Sequence, residues 1–250
     1  MNSLCYVFLV LGLTLTQQHF FAGDNYHQPI CATVSNLPQD HYVIDTNSVK
    51  ATLPISTELP AYLRCTVEST EINEKDHNDL YRKGVRYYGD FIGWRGNEGT
   101  YHFRVEVTLY DSPESAKKSI SDAMKYILAT GEMQEHSYRK RKIGNKVWSS
   151  TRGSLLVVLD GRATVSVKVG PFVLRDEAGI VLYDDEGTPL IYRPTWEDAL
   201  FAETLAVDTL SRLTVLGMTS KPARQASSRA KRQVAERYEA LLLKQKPTKQ

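Results

Sequence analysis

The sequence predicts an α+β fold: an antiparallel β-sheet covered on one face by two main helices. Three observations carry that prediction. Residues 101–109 and 163–169 alternate apolar and polar side chains with the period of two that a half-covered strand needs. Residues 112–131 and 195–213 instead repeat apolar positions three and four apart, behind helix-start residues. The strands also follow one another through short turns rather than alternating with helices, which favours antiparallel pairing. At 250 residues the chain has room for one large domain, or one medium domain with tails.

The first element is "LCYVFLVLGLTLT", residues 4–16, an apolar run of secretory-signal length and too short to span a bilayer comfortably. Polar residues follow, then Ala22 and Gly23, small enough for signal-peptidase cleavage. Residues 1–23 therefore read as an export signal, and the protein as secreted or held in the periplasm or cell envelope. No Lys or Arg precedes the run, and Phe20 or Phe21 stands where a small residue is preferred. An uncleaved anchor and a buried N-terminal strand or helix therefore stay open as alternatives. Residues 24–58, with Pro29, Pro38 and Pro54 and few periodic apolar positions, read as an arm or linker. The α+β domain is drawn over 59–217.

Within it, Leu63, Cys65 and Val67 alternate as one strand face. Residues 71–84 are polar, a short helix or an exposed loop. "VRYYGDFIGW", residues 85–94, reads as an irregular strand whose Gly89 and Gly93 mark a bulge. Tyr101, Phe103, Val105, Val107 and Leu109 share one face of the clearest strand. In the first long helix Ser112 suits the N-cap, Pro113 the first turn and Gly131 the stop. Its buried stripe is Ala116, Ile120, Ala123, Ile127 and Leu128. A strand near 145–150 precedes a hairpin with Asp160-Gly161 as its type I′ turn. On the return strand Ala163, Val165, Val167 and Val169 face the core, and Arg162, Thr164, Ser166 and Lys168 face water.

A second hairpin follows, with residues 184–187 at its tip. In the second long helix Thr195 caps and Asp198 completes a capping box. Trp196, Ala199, Leu200, Ala206, Val207, Leu210 and Leu213 form its apolar face. Residues 218–250 read as a basic, partly helical or disordered tail, in which Ala230, Val234, Tyr238, Leu241 and Leu242 recur at helical spacing.

The "LP" at 59–60, the strand running into "DSPESA" at 111–116, the "IG" at 143–144 and the hairpin "LLVVLDGRATVSVKV" occur in a telling order. Over roughly residues 59–215 this order resembles bacterial secreted modules of the PsbP-like kind. The resemblance implies an α+β fold and a mostly unknown or non-catalytic function, and it carries over no active residue. The hairpin at 180–192 and the basic tail depart from it.

Chemistry is sparse. No GxSxG, SxxK, P-loop or GxGxxG occurs, and none of the six histidines stands in a metal-binding spacing. The carboxylates at 76–79 and 184–187 lack calcium-loop spacing and suit turns. No cofactor or metal is expected, and a hydrolase whose carboxylates meet only in space is the third choice. Tyr87, Tyr88, Phe91 and Trp94 are the candidate ligand groove, with filling of a small core as the competing use. Arg139, Lys140, Arg141 and Lys142 either contact an anionic partner or protect a sheet edge. Cys31 and Cys65 either pair in an oxidising compartment, or Cys65 is a plain buried thiol. A net charge of +2 is too small to argue for nucleic acid. The expected function is an exported, non-catalytic module that binds a small ligand or a partner protein. The alternative is an envelope interaction or assembly factor acting through the basic tail.

Overall fold

The computed structural model describes residues 43–58, 63–95, 101–129, 133–135, 143–150, 155–170, 172–173 and 180–245. Every described residue belongs to one compact unit, Asp40–Gln250. In chain order the elements are α1 (Thr46–Thr52), β1 (Leu63–Glu71), α2 (Asn78–Arg82), β2 (Val85–Arg95), β3 (Tyr101–Tyr110), α3 (Pro113–Ala129), β4 (Met133–Glu135) and β5 (Lys146–Ser150). They continue with β6 (Leu155–Asp160), β7 (Ala163–Val169), β8 (Phe172–Val173), β9 (Ile191–Tyr192), α4 (Trp196–Val215) and α5 (Ser228–Gln245). The fold is α+β, as the sequence predicts.

Seven antiparallel strands form the sheet in the order β1-β2-β3-β7-β6-β5-β4, and β8 with β9 makes a separate ribbon. Strand β3 lies inside the sheet beside the middle strand β7, and its alternation supplies one fully apolar face: Phe103, Val105, Val107 and Leu109 are all buried. Val105 sits opposite Phe91 on β2 and Val167 on β7, so three strands add to one layer. Strand β2 carries register shifts between Val85 and Tyr87 and between Gly93 and Trp94; the second falls at one of the two glycines expected to mark a bulge, while Gly89 pairs in register with Ser69 and Val107. The β6–β7 loop is Gly161-Arg162, because Asp160 already pairs with Ala163. It lies one residue later than the expected Asp160-Gly161 turn. Gly161 adopts φ 58°, and a Cβ there would stand 2.4 Å from the carbonyl carbon of Thr219.

The two long helices lie on opposite faces of the sheet, not together on one. Helix α4 buries Ala202, Leu205, Ala206 and Leu213 on the β3–β7 face, alongside α1 and α5. Helix α3 covers part of the other face, packing Ala116 and Met124 with Trp148, Val157, Leu159 and Tyr110. The cause is legible in β6, whose unbroken apolar run Leu155–Leu159 places Leu156 and Val158 in one core and Val157 and Leu159 in the other. The stripe of α3 is also rotated: Met124 is buried and Ala123 exposed.

Two segments outside 59–217 are built into this core. Helix α1 starts at a capping box in which the Ser48 amide donates to Asp45 Oδ1 at 2.7 Å and the Asp45 amide donates to Ser48 Oγ at 2.9 Å. It then buries Val49 and Leu53, worth roughly 1.5–3 kcal/mol each. Close approach is possible because the sheet has Gly89 beneath it, whose Cβ would meet Val49 at 3.1 Å and Leu53 at 3.2 Å. Helix α5, in the expected tail, buries Ala230 and Val234 in the same core and half-buries Tyr238 and Leu241.

A charged clasp joins α1, α4 and α5. Arg212 on α4 is fully buried and donates to the Thr52 carbonyl at 2.7 Å and to Glu58 Oε1 at 2.8 Å. Arg237 on α5 donates to the Leu53 carbonyl at 2.8 Å and to the same Glu58 oxygen at 2.7 Å. One carboxylate oxygen thus accepts from two guanidinium groups. Burial foremost pulls the Arg212 guanidinium down to about 10, Glu58 opposes that fall, and Arg237 adds to it.

Candidate functional site

The four aromatic residues singled out on β2 do not line one groove. Successive strand residues point to opposite faces, so Tyr87 and Phe91 are separated from Tyr88. Phe91 is fully buried in the β3–β7 core, and the Tyr87 hydroxyl donates to the Ile44 carbonyl at 2.8 Å. Phe91 therefore serves the competing use, filling the core. The side chain of Trp94 lies outside the described ones, as do Arg139, Lys140, Arg141 and Lys142. Among the described residues Cys65 has no disulfide partner; Cys31 lies outside them. The Cys65 thiol packs against the core, and burial pushes its pKa up.

On the other face Tyr88 joins a polar ladder across β2 and β3. Arg104 donates to both carboxylate oxygens of Asp90, the shorter contact being 2.8 Å, and lies 3.2 Å from Glu106. The Tyr88 hydroxyl donates to Glu106 and accepts from Arg104 at 3.3 Å. Burial first, then the hydrogen bond and charge of Glu106, hold the Tyr88 pKa well above the usual phenol range. Asp90 directly faces Glu106 in the register, so Arg104 cancels the repulsion of two neighbouring carboxylates. Each member of the ladder is occupied by another. That is a structural arrangement of a partly covered face.

The described cavities offer little to a small molecule. One of about 140 Å³ is bounded by Ile44, Tyr87, Tyr110, Arg162 and Met218. It is smaller than the roughly 300–1,000 Å³ of usual ligand sites. A second, of about 400 Å³, lies between α4 and the β5–β6 end of the sheet, lined by Ile143, Asn145, Asp160, Leu210, Ser211 and Thr214. Several of its polar atoms are already committed internally. Asp160 accepts from the Ser220 amide at 3.1 Å, Asn145 accepts from the Gly161 amide at 2.9 Å, and Ser211 donates to the Val207 carbonyl at 2.8 Å.

The unusual surface lies elsewhere. Ile180, Tyr183, Leu190, Ile191, Trp196 and Leu200 are all exposed, and all fall within residues 180–200. The hairpin is held by a Tyr183–Pro189 bridge, and its tip by Asp184 Oδ1, which accepts from the amides of Glu186 and Thr188 at 3.0 and 2.8 Å. Helix α4 then starts at a cap where the Thr195 amide donates to Asp198 Oδ2 at 2.8 Å. Its first turns present Trp196 and Leu200, one turn apart on one side, at 71% and 55% exposure. Both were expected in the apolar face of this helix. The stripe that meets the sheet is instead Ala202, Leu205, Ala206 and Leu213, flanked by Phe201 stacked edge-on against Phe103 at 4.9 Å. Periodicity marks Trp196 and Leu200 as apolar, but they share the outward side of α4 with the exposed Thr204, away from Ala202, Leu205 and Ala206, which meet the sheet. The surplus of apolar positions around α4 was the signal that could have found this surface.

No helix among the described residues is long and apolar enough to cross a membrane. No family model matches the chain, and no curated protein matches it. Among solved structures the chain is similar to the crystal structure of the extracellular domain of PknH from Mycobacterium tuberculosis. The TM-score is 0.38 and the identity 11%, over 69% of this chain and 99% of that one. A likeness at that level transfers neither fold nor function.

Proposed function

We propose that this chain is an exported, non-catalytic α+β module that binds a partner protein through the surface at residues 180–200. The observation that carries the reading is the exposure of Trp196 and Leu200, one turn apart at the start of α4, with Tyr183, Leu190 and Ile191 also exposed on the hairpin that precedes it in the chain. Soluble proteins seldom expose large apolar side chains together unless something covers them, and Trp and Tyr are enriched where proteins meet. One cavity is below the usual ligand size and several polar atoms lining the other are bonded within the chain, which favours a partner protein over a small ligand. Export rests on the apolar run at residues 4–16. The PsbP-like resemblance belongs to the same reading, since modules of that kind are secreted and mostly without known catalysis.

The test compares the tagged protein, recovered from its own compartment, with Trp196→Glu and Leu200→Glu variants that fold normally. The reading expects a stoichiometric companion held by the parent chain and lost from both variants. Equal recovery of every companion by parent and variants would remove the surface from the function.

A further inference from the structure

A second apolar cluster stands at the end of α5. Leu242 and Leu243 are exposed, Leu243 at 66%, although Ala230, Val234, Tyr238 and Leu241 on the same helix are used in the core. The exposed Glu239 stands one turn before Leu242 and Leu243, and the sequence after it adds Lys244, Lys246 and Lys249 and no further acid. The segment 180–200 has the opposite character: Asp184, Asp185, Glu186, Glu197 and the buried capping Asp198 against Arg193 alone. The two clusters are both exposed in one molecule, so neither covers the other. Their chemistries are complementary, apolar to apolar and acid to base.

We infer that the partner is a second copy of this chain, whose α5 tip docks Leu242, Leu243 and Lys244 on the acidic apolar surface at residues 180–200. This rests on the proposed function and names the occupant of the same surface. Made once per pair, such a contact is heterologous and leaves one free patch and one free tip; made reciprocally about a two-fold axis, it closes a dimer. The acids at 184–186 also set this surface against an anionic membrane, where basic residues would be needed. Trp196 is the aromatic anchor of this contact, with the carboxylates of residues 184–186 and Glu197 steering Lys244.

Sedimentation velocity across the micromolar range on the full mature chain tests the inference, with two double variants. The patch variant is Trp196→Glu with Leu200→Glu; the tip variant is Leu242→Glu with Leu243→Glu. All four positions are exposed, so both variants keep the parent's circular dichroism and unfolding curve. The parent chain associates reversibly, and more weakly as salt rises. Each variant alone associates about tenfold more weakly or worse. The equimolar mixture regains association but stops at a dimer, since only one intact patch and one intact tip meet.

A parent chain that stays monomeric overturns the inference. So does a tip variant that associates as the parent does. If the monomeric parent still loses a companion from its own compartment on Trp196→Glu, the proposed surface stands and only the second copy falls. If it loses none, both fall.

Discussion

Replacing Glu58 with Gln should be among the costliest single-atom-scale changes in this chain. Glu58 Oε1 accepts from Arg212 at 2.8 Å and from Arg237 at 2.7 Å, and those side chains are 0% and 11% exposed. Removing one partner of a buried ion pair costs about 3–5 kcal/mol. Here the cost is moderated, because Gln keeps one accepting oxygen and Glu58 is partly open to water. Each guanidinium also keeps a backbone carbonyl, Thr52 for Arg212 and Leu53 for Arg237. The expected loss is therefore about 2–4 kcal/mol. Arg212→Met is the matched control. It removes the buried charge and leaves Glu58 to Arg237 alone, at the expense of the Thr52 carbonyl, for a loss of about 0–2 kcal/mol. Equilibrium urea unfolding reads both, and Glu58→Gln shifts the midpoint by roughly 1–2 M at unchanged slope. A Glu58→Gln chain as stable as the parent would refute the clasp. So would Arg212→Met proving the more damaging change.

Three further outcomes follow from other parts of the molecule. Gly161→Ala should cost at least about 1–3 kcal/mol in the same assay, since φ 58° and the Thr219 backbone 2.4 Å from the new Cβ both oppose it; a neutral result would place the β6–β7 loop elsewhere. The raised pKa of Tyr88 means that the folded chain holds its proton after the unfolded chain has released its own. Stability is thus complete below the ordinary phenol pKa and falls as pH rises past about 10, less steeply in Tyr88→Phe; phenolate absorbance and urea midpoints against pH measure it. Trp196→Glu and Leu200→Glu, by contrast, should change unfolding free energy by less than about 0.5 kcal/mol, because neither side chain belongs to the core. A larger loss would mean that these residues serve the fold.

Local patterns were readable where the information is local. The alternation of β3 and β7, the Ser112 cap of α3 and the Thr195–Asp198 cap of α4 each depend on residues a few positions apart. Ser112 Oγ accepts from the Ser115 amide at 3.0 Å, as its place in the sequence predicts. Other features depend on contacts distant in the chain. Helix α1 offers only Val49, Ala51 and Leu53, and its partners in α4 and α5 lie more than 150 residues away, so its place in the core has no nearby signature. The α5 stripe was visible as a stripe, but not as one answered by this chain's own core. Trp196 and Leu200 show the converse: apolar spacing identifies what a helix can bury, and which side the helix turns toward the sheet decides what it does bury. Tyr87, Tyr88 and Phe91 read as a cluster in sequence and are split by the pleat between two faces.

The most direct measurement is site-specific photo-crosslinking in the protein's own compartment, with a photoreactive residue in place of Leu200 and, as control, in place of the exposed Asp122 on α3. An interface at residues 180–200 yields one discrete crosslinked species from position 200 and none from position 122. A second copy of the chain in that species identifies the α5-tip contact. No species from position 200 beyond the control would contradict the assignment of this surface as the place where the protein works.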